Sequence, residues 1–272
     1  MTSGHEKKTS SSLIIATYNW KEALALVLET VRVQSVPPGE VLIADDGSRD
    51  DTRELVARVA TNFPVPLRHL WQEDAGFRKS RILNEAMARA RGEYLIAIDG
   101  DMLIHPEFVR SHLGAAARGW FVQGSRMMLG ETPTSRTLAA GRLAAGPLSP
   151  NVRNRINGIH APLLSRFVRG EPGPILRTRG CNISFWKDDI VRVNGYNEDM
   201  EGWGREDTEL IARMMNAGVR RRNLKFAAVS YHLHHRARAR DADAANLELA
   251  LKVVRGGVTR CEHGIDRHMA AI

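Results

Sequence analysis

The chain has few cysteines and no long apolar run, and each absence narrows its possible class. Its two cysteines, Cys181 and Cys261, lie far apart and form no Cys-x-x-Cys pair. Neither a disulfide framework nor a zinc site is therefore indicated, and a reducing compartment fits best. No apolar stretch approaches the roughly 20 residues that cross a bilayer, and the polar segment 1–12 lacks the apolar core of a signal peptide. The sequence predicts a cytoplasmic protein.

Aromatic residues and acidic charge are also scarce, which bears on the partner. Aromatic residues make up 6% of the chain, and 39 basic against 31 acidic residues give a net charge of +8. The excess favours an anionic partner such as nucleic acid, acidic lipid headgroups or a phosphorylated small molecule. The sequence has no basic stripe interleaved with aromatic residues, which argues against nucleic acid. Peripheral contact with an anionic membrane stays open.

The 272 residues are 43% hydrophobic and 26% charged, which suits one α/β domain with additions. Apolar runs typical of strands alternate with segments of helical period in the first hundred residues. Strands are predicted at 13–17, 41–44, 66–71 and 94–98, and helices at 21–33, 51–60 and 78–91. This alternation predicts a doubly wound, mainly parallel, Rossmann-like sheet, whose ligands bind beyond the carboxyl ends of the strands.

Polar clusters follow all four predicted strands at the point where each strand ends. They are Thr17-Tyr18-Asn19, Asp45-Asp46-Gly47-Ser48, Gln72-Glu73-Asp74 and Asp99-Gly100-Asp101. Any one of them is ordinary turn and helix-cap chemistry. Together they gather carboxylates that repel one another unless a cation or hydrogen-bond donors compensate, which favours a divalent metal.

The Asp99-Gly100-Asp101 turn is the candidate metal site. Two carboxylates two residues apart, with Gly100 allowing close backbone approach, suit Mg²⁺ or Mn²⁺ bridged by substrate phosphates. A short strand predicted at 225–231 ends in His232-Leu233-His234-His235, and a histidine there could complete the metal shell. For at least two of these three histidines, an exposed basic strand end is the better interpretation.

As an ordered set, these motifs resemble those of family 2 glycosyltransferases with the GT-A fold. The stretches that carry the resemblance are 15–19, 45–48, 72–78 and 99–101. A second part, 179–182, 195–196 and the Gly-Trp-Gly-Arg-Glu-Asp sequence at 202–207, resembles the C-terminal half of bacterial chondroitin polymerases and animal β-1,4-galactosyltransferases. The resemblance covers residues 11–128 and 177–235.

The resemblance implies a division of the chain into four parts. A nucleotide-sugar-binding half spans 11–128, a variable acceptor-side excursion 129–176, a catalytic and acceptor half 177–235, and a helical tail 236–272. The excursion matches no motif, and we expect it to be mobile and to govern acceptor choice. In the tail, the helical spacing of Leu247, Leu251, Val254 and Val258 predicts core packing.

By position, the resemblance also implies a donor site. Its residues are Thr17, Tyr18, Asp46, Arg78, Asp99, Gly100, Asn182 and Trp203. Tyr18 would stack on the base and Asp46 would accept from a ring N–H, with uridine favoured. Arg78 would lie near the diphosphate or the sugar, and Asp99 near the ribose or the sugar. Asn182 and Trp203 would line the donor and acceptor pockets.

The metal ligands and the catalytic acids implied by the resemblance come from both halves. Asp101 would bind Mn²⁺ or Mg²⁺ directly and His232 would be the second protein ligand, with His234 and His235 as alternatives. Glu206 would contact an acceptor hydroxyl, and Asp207 would remove its proton as it attacks with inversion. A simpler interpretation of these two acids is the first turn of a helix predicted at 208–217, and both can hold together.

The expected activity is transfer of one sugar from a nucleoside-diphosphate sugar to a saccharide or glycolipid hydroxyl, in surface polysaccharide or lipopolysaccharide assembly. The Gln-x-x-Arg-Trp sequence of processive synthases does not occur, which favours single-sugar addition. A sugar-phosphate nucleotidyltransferase is the alternative, although such enzymes carry a Gly-rich loop where Thr17-Tyr18-Asn19 stands. A basic nucleic-acid-binding protein is the weaker second alternative.

Overall fold

The computed structural model describes residues 9–165, 167, 175, 178–236 and 242–269. The strands are β1 (Ser11–Thr17), β2 (Glu40–Asp45), β3 (Leu67–Trp71), β4 (Tyr94–Asp99), β5 (Met102–Ile104), β6 (Trp120–Leu129), β7 (Val152–Arg153), β8 (Asn182–Trp186) and β9 (Arg220–His232). The helices are α1 (Lys21–Arg32), α2 (Asp50–Ala60), α3 (Lys79–Arg89), α4 (Phe108–Ala115), α5 (Glu131–Ala140), α6 (Pro162–Ser165), α7 (Lys187–Arg192), α8 (Glu206–Asn216), α9 (Asp243–Gly256) and α10 (Asp266–Met269). A short 3-10 helix lies at Arg155–Gly158.

The strands form one sheet in the order β3-β2-β1-β4-β8-β6-β9-β5, with β7 paired to β6. The first four are parallel, as predicted from the alternation of strands and helices. Beyond β4 the sheet is mixed, because β8 runs antiparallel to both β4 and β6, and β5 runs antiparallel to β9. The predicted α/β class with a doubly wound, mainly parallel first half is confirmed.

Apolar layers cover both faces of the parallel strands. Successive side chains of a strand point to opposite faces, so Leu13 and Ile15 of β1 pack in one apolar cluster with α1, whereas Ile14 packs in the other with α3. These three side chains have no exposed surface. The rigid two-sided core fixes where each parallel strand ends and therefore where the polar turns lie.

The late strand is longer than predicted. Instead of 225–231, β9 runs over 13 residues from Arg220, and it bulges where its partner β6 passes from Gly124 to Ser125. Its first residues are arginines, which an apolar pattern cannot reveal as a strand. The Arg220 guanidinium lies 4.0 Å from the centroid of the Trp120 ring, a cation–π contact that helps to hold this polar end on the sheet.

The acceptor-side excursion is attached to the sheet through β7. It contains α5, β7, the 3-10 helix and α6, and β7 pairs with Met128 and Leu129 at the end of β6. Residues 166, 168–174 and 176 of the excursion lie outside the described residues. No helix in the described ranges is long and apolar enough to cross a membrane.

The predicted core stripe of the tail is wrong by about one helical position. Helix α9 buries Asn246, Ala250 and Val253, whereas Val258 is 40% exposed. The other three members of the predicted stripe are only partly buried. A shift of one residue rotates the face by about 100°. A polar residue sets the buried face of α9. Asn246 turns inward, and its amide donates to the backbone carbonyl oxygens of Glu201 and Gly204.

Candidate active site

A cavity of about 740 Å³ opens beyond the carboxyl ends of the parallel strands, a volume in the range of small-ligand sites. Its walls come from the strand-end turns, from β6 and from the end of β9. The predicted site residues that line it are Thr17, Tyr18, Asp46, Asp99, Gly100, Asp101, Trp203 and His232, and His234 and His235 line it as well. Most of the residues expected from the sequence therefore share one space.

One end of the cavity is built on the ends of β1 and β2. Asp46 is buried, and its carboxylate accepts hydrogen bonds from the Gln72 side chain at 2.6 Å and from the backbone N–H of Arg78 at 3.1 Å. The Tyr18 hydroxyl donates to the Asp74 carboxylate at 3.0 Å. The backbone of Asp46 is also tied to that of Thr17. An aromatic ring and an oriented acceptor are thus held side by side, a pair that can stack on a base and bind its ring N–H.

The Asp99-Gly100-Asp101 turn packs tightly against the end of β1. A Cβ at Gly100 would lie 2.9 Å from the Thr17 Oγ1 atom, too close for any side chain. The Gly100 N–H donates to the carbonyl oxygen of Ala16, and the Asp101 carbonyl accepts from the N–H of Leu233. These backbone bonds place the Asp101 side chain beside the end of β9, where the register opposes Met102 to His232.

Asp101, His232 and His235 form a group that can hold a metal ion. Oδ2 of Asp101 lies 3.2 Å from Nε2 of His235 and 3.6 Å from Nε2 of His232. The other carboxylate oxygen of Asp101 is buried and has no hydrogen-bond partner among the described residues. These three residues offer ligand atoms that all lie within 4.8 Å of one another. An unpartnered carboxylate oxygen beside two imidazoles fits Mn²⁺ or a similar divalent cation.

The electrostatics of this end favour an ionised carboxylate. Burial alone would raise the pKa of Asp101, but the hydrogen bond from His235 and the positive charge available from both histidines lower it below its ordinary value. Burial lowers the pKa of His232, so its imidazole is neutral near pH 7. A carboxylate and a neutral imidazole are the forms that bind a metal.

Lys79, at the start of α3, interacts both with Asp99 of the metal-site turn and with the acids of α8. Its ammonium group contacts the Asp99 carboxylate at 2.6 Å and lines the cavity. Burial would lower the pKa of Lys79, but the charges of Asp99, Asp207 and Glu206 outweigh burial and raise it well above its ordinary value. A permanent positive charge therefore faces the cavity between the metal-binding group and the acids of α8.

Glu206 and Asp207 are the first residues of α8, as the helix interpretation predicted within two residues. The Asp207 carboxylate accepts from the N–H of Gly180 at 2.7 Å and from the Tyr196 hydroxyl at 3.1 Å. A Cβ at Gly180 would collide with that carboxylate, so only glycine allows this approach. The Glu206 carboxylate accepts from the N–H of Gly204, and burial together with the charge of Asp207 raises the pKa of Glu206 to about 7.

Four predicted site residues do not line the cavity: Arg78, Asn182, Glu206 and Asp207. The Arg78 guanidinium turns back to the carbonyl oxygen of Glu73. Asn182 is buried, where its amide donates to Ser125, Ala228 and Ser230 and accepts from His112. Asn182 therefore ties β8 to β6 and β9, because all of its hydrogen-bonding capacity is used inside the fold. The charges of Glu206 and Asp207 act on Lys79, which does line the cavity.

Sequence reasoning missed two cavity residues and ranked a third too low. Lys79 could have been found beside Arg78, as the next basic residue of the same motif. Arg126 projects from the middle of β6, donates to the Sγ atom of Cys181 at 2.7 Å and keeps a buried Nε without a hydrogen-bond partner in the described ranges. No motif surrounds Arg126, so nothing local indicated it. His235 was only an alternative ligand, yet it joins Asp101 and His232.

Two family models match the chain. The model described as glycosyl transferase family 2 matches residues 12–162, and that described as the N-terminal domain of galactosyltransferase matches residues 170–236. The two matches follow one another along the chain in the order that the motifs predicted. The resemblance noted from the sequence is confirmed.

Curated relatives agree with the family models. Validoxylamine A glucosyltransferase from Streptomyces hygroscopicus subsp. limoneus is 28% identical over 228 residues, which cover 76% of this chain and 48% of that protein. Chondroitin synthase from Escherichia coli is 24% identical over 256 residues, or 86% of this chain and 36% of that protein. The chain therefore spans about half or less of the length of these two relatives.

The fold agrees with that of solved glycosyltransferases. The crystal structure of GalNAc-T7 with UDP, GalNAc and Mn²⁺ matches with a TM-score of 0.66 at 12% identity, covering 92% of this chain and 48% of that one. At this identity the match shows the GT-A fold alone. The family model, by contrast, matches more than half of the chain and shows the family. The chain belongs to glycosyl transferase family 2, a family of glycosyltransferase enzymes.

Proposed function

We propose that the chain is an inverting, metal-dependent glycosyltransferase that moves one sugar from a UDP-linked donor to a hydroxyl of a saccharide or glycolipid. The observation that carries the proposal is one cavity with a base-binding pair, Tyr18 and Asp46, at one end and the group of Asp101, His232 and His235 further along. A nucleoside diphosphate uses both groups. Its base offers an N–H that needs a hydrogen-bond acceptor, whereas its phosphates are anionic and need a positive charge.

The nucleotide end binds the donor through its base. Tyr18 stacks on the base, and the carboxylate of Asp46, already oriented by Gln72 and Arg78, accepts from the ring N–H. Uracil offers such an N–H beside two carbonyls. The UDP in the GalNAc-T7 structure supports uridine as the first base to test.

The diphosphate end relies on charge. Asp101, His232 and His235 would hold a divalent cation, which when bound would stabilise the negative charge on the leaving diphosphate as a Lewis acid. Lys79 adds a fixed positive charge from the chain itself, and Asp99 orients its ammonium group. Asp99 and Trp203 also line the cavity, and their proposed role is to contact the ribose or the sugar.

Asp207 is the proposed general base. Gly180 and Tyr196 fix its carboxylate from two sides, which orients it without neutralising it. It takes the proton of the acceptor hydroxyl while the oxygen attacks the anomeric carbon from the face opposite the diphosphate, so the configuration inverts. Glu206, whose pKa of about 7 leaves it partly protonated at neutral pH, binds the acceptor hydroxyl.

The wider setting belongs to the same proposal. Residues 11–128 bind the donor, 129–176 choose the acceptor, 177–235 carry catalysis and 236–272 form a supporting tail. The chondroitin synthase relative favours a role in surface polysaccharide or lipopolysaccharide assembly. Both cysteines are buried and unpaired, which suits the reducing cytoplasm.

A panel of nucleotide sugars tests the proposal by thermal shift, with Mn²⁺ and with a chelator. A ligand that binds only the folded state raises its stability, so one UDP-sugar should raise the melting temperature with Mn²⁺ and lose that effect on chelation. Slow release of free sugar from the same donor supports a transferase. Pyrophosphate-dependent exchange into the nucleotide sugar would instead identify a nucleotidyltransferase and overturn the proposal.

A further inference from the structure

Exposed apolar side chains are concentrated in one part of the acceptor-side excursion. Eleven large apolar side chains are exposed among the described residues, and six of them lie between 148 and 167. We call these six the apolar patch: Leu148, Ile156, Ile159, Leu163, Leu164 and Phe167. Leu148 is 97% exposed, Phe167 82% and Leu163 70%, so these side chains contribute almost nothing to the core. Such a concentration marks an interaction surface.

Hydrogen bonds to backbone carbonyl oxygens fix two segments of the patch. The Arg155 guanidinium donates to the carbonyl oxygens of Pro147 and Ser149, which brings the loop with Leu148 beside the 3-10 helix. The N–H of Ala161 donates to the carbonyl of Phe226 in β9 at 2.8 Å, and this bond anchors the start of α6. The loop with Leu148 is therefore fixed to the 3-10 helix, and the start of α6 is fixed to the sheet.

The same part of the chain carries most of its net charge. Residues 132–186 contain eight arginines, no lysine and one acidic residue, Glu171, in a chain whose net charge is +8. Five of these arginines are exposed in the described ranges: Arg136, Arg142, Arg153, Arg155 and Arg179. Exposed apolar side chains and exposed positive charge thus occur in the same part of the chain.

The patch adjoins the cavity. Arg153 lines the cavity, and the Asn157 amide donates to the backbone carbonyl of Arg126, which lines it too. A surface that holds the patch would therefore stand at the rim of the site.

We propose that the apolar patch and its arginines dock the protein on an anionic lipid bilayer. Aliphatic side chains that enter the headgroup region gain burial, and arginines beside them pair with lipid phosphates. A second copy of the chain is a poorer occupant, because it would bring a like positive charge against this face. Nucleic acid is also a poorer occupant, because proteins bind its bases by stacking on aromatic rings, and five of the six patch residues are aliphatic.

The docking is measurable by cosedimentation of the full chain with vesicles. The vesicles are made of phosphatidylcholine alone or of phosphatidylcholine mixed with phosphatidylglycerol. We expect binding to the mixed vesicles only, and weaker binding as salt rises, because a Debye length of about 10 Å at 0.1 M salt screens exposed charge. Equal binding to both vesicle types, or none to either at low salt, would overturn the proposal.

Matched variants assign the binding to the patch. Leu163→Ser with Leu164→Ser should weaken binding about tenfold or more, while Val33→Ser with Val258→Ser, which removes two apolar side chains exposed elsewhere, should not. Arg142→Glu should weaken it several-fold to about tenfold, and Arg58→Glu on α2 clearly less. Circular dichroism and melting temperature verify that every variant folds.

The remaining outcomes are decisive as well. If the patch variants bind vesicles like the unaltered chain, the patch is not the docking surface. If they instead abolish a concentration-dependent dimer, or tight binding to duplex DNA, the surface belongs to that partner. None of these measurements requires sugar transfer, so the docking proposal and the proposed function fail separately.

Discussion

The nucleotide end of the cavity and the acids at the start of α8, here called the transfer end, are held in place by different parts of the chain. At the nucleotide end, Asp46 and Tyr18 follow parallel strands, and their partners Gln72, Asp74 and Arg78 lie in the single turn that follows β3. At the transfer end, Asp207 is fixed by Gly180 and Tyr196, and the loop before it is held by the tail. The first end follows from one repeated local pattern, whereas the second needs segments that are far apart in sequence.

The loop before α8 shows what the tail contributes. Gly202, Gly204 and Arg205 all have positive φ, at 76°, 118° and 72°, and Arg205 has a side chain that disfavours this conformation. Its guanidinium binds the Asp243 carboxylate of α9 at 2.8 and 3.3 Å. Helix α9 therefore holds a strained loop next to the acids of α8, a common feature of functional sites.

The largest expected effect is at the metal-binding group. Asp101→Ala removes the only carboxylate of the group, so transfer should fall roughly 10³-fold or more, since a Lewis-acid term is worth several kcal/mol. The donor-induced thermal shift with Mn²⁺ should vanish as it does on chelation.

His234→Ala is the matched comparison, because His234 lines the cavity outside the group, and its loss should be much smaller than that of His235→Ala. Metal-independent transfer at full rate, or a reversed order of the two histidine variants, would contradict the assigned ligands.

The next effect belongs to the transfer end. Asp207→Asn keeps the size of the side chain but cannot accept a proton, so kcat should fall about 10²–10⁴-fold while donor affinity changes little. Glu206→Gln should mainly raise the KM of the acceptor. Steady-state kinetics separate the two, and near-normal turnover of Asp207→Asn would refute it as the base.

A smaller effect tests the tail. Asp243→Ala frees Arg205, so the loop loses its support and kcat should fall roughly tenfold, the scale of losing a supporting contact around a site. Donor affinity should stay near normal, because the nucleotide end does not depend on α9. Adding Arg205→Gly should restore part of the rate, since glycine adopts positive φ without strain.

Asp266→Ala is the control, because it breaks an exposed Asp–Arg pair of the same type with Arg260. Equal losses in Asp243→Ala and Asp266→Ala would show that α9 has no special role.

The smallest effect is on stability. Burial raises the pKa of Glu206 to about 7, so the folded chain binds this proton more tightly than the unfolded chain, whose pKa is near 4.5. The contribution of Glu206 to stability is therefore greatest below about pH 4.5 and is lost as pH rises towards 7. The free energy of unfolding of Glu206→Gln, relative to that of the unaltered chain, should therefore rise between pH 5 and pH 8 by on the order of 2 kcal/mol. Denaturant melts at both pH values measure the gain, and a constant difference would contradict it.

The sequence predicted the nucleotide end well, because strand periodicity places each polar turn at the same edge of the sheet. It placed Tyr18, Asp46 and Asp101 in one cavity without knowledge of any contact. The motif resemblance added the acids of α8, which no periodicity could have related to that edge. The sequence did not predict features that depend on side-chain direction, such as the turn of the Arg78 guanidinium away from the cavity.

Long-range packing accounts for the other misses. The buried face of α9 includes Asn246, a polar residue that hydrophobic spacing cannot select. The role of Arg126 depends on the pairing of β6 with β8 and β9, and that pairing joins residues more than 50 positions apart. Such contacts are set by the whole fold and leave no local signal.

The most direct test of the account is the anomer that first leaves the protein. With an α-linked UDP-sugar, Mn²⁺ and water as the acceptor, time-resolved NMR can record the released sugar before mutarotation. Inversion through Asp207 predicts that the β-anomer appears first and that Asp207→Asn suppresses its release. Initial release of the α-anomer would contradict a single displacement and with it the assigned base.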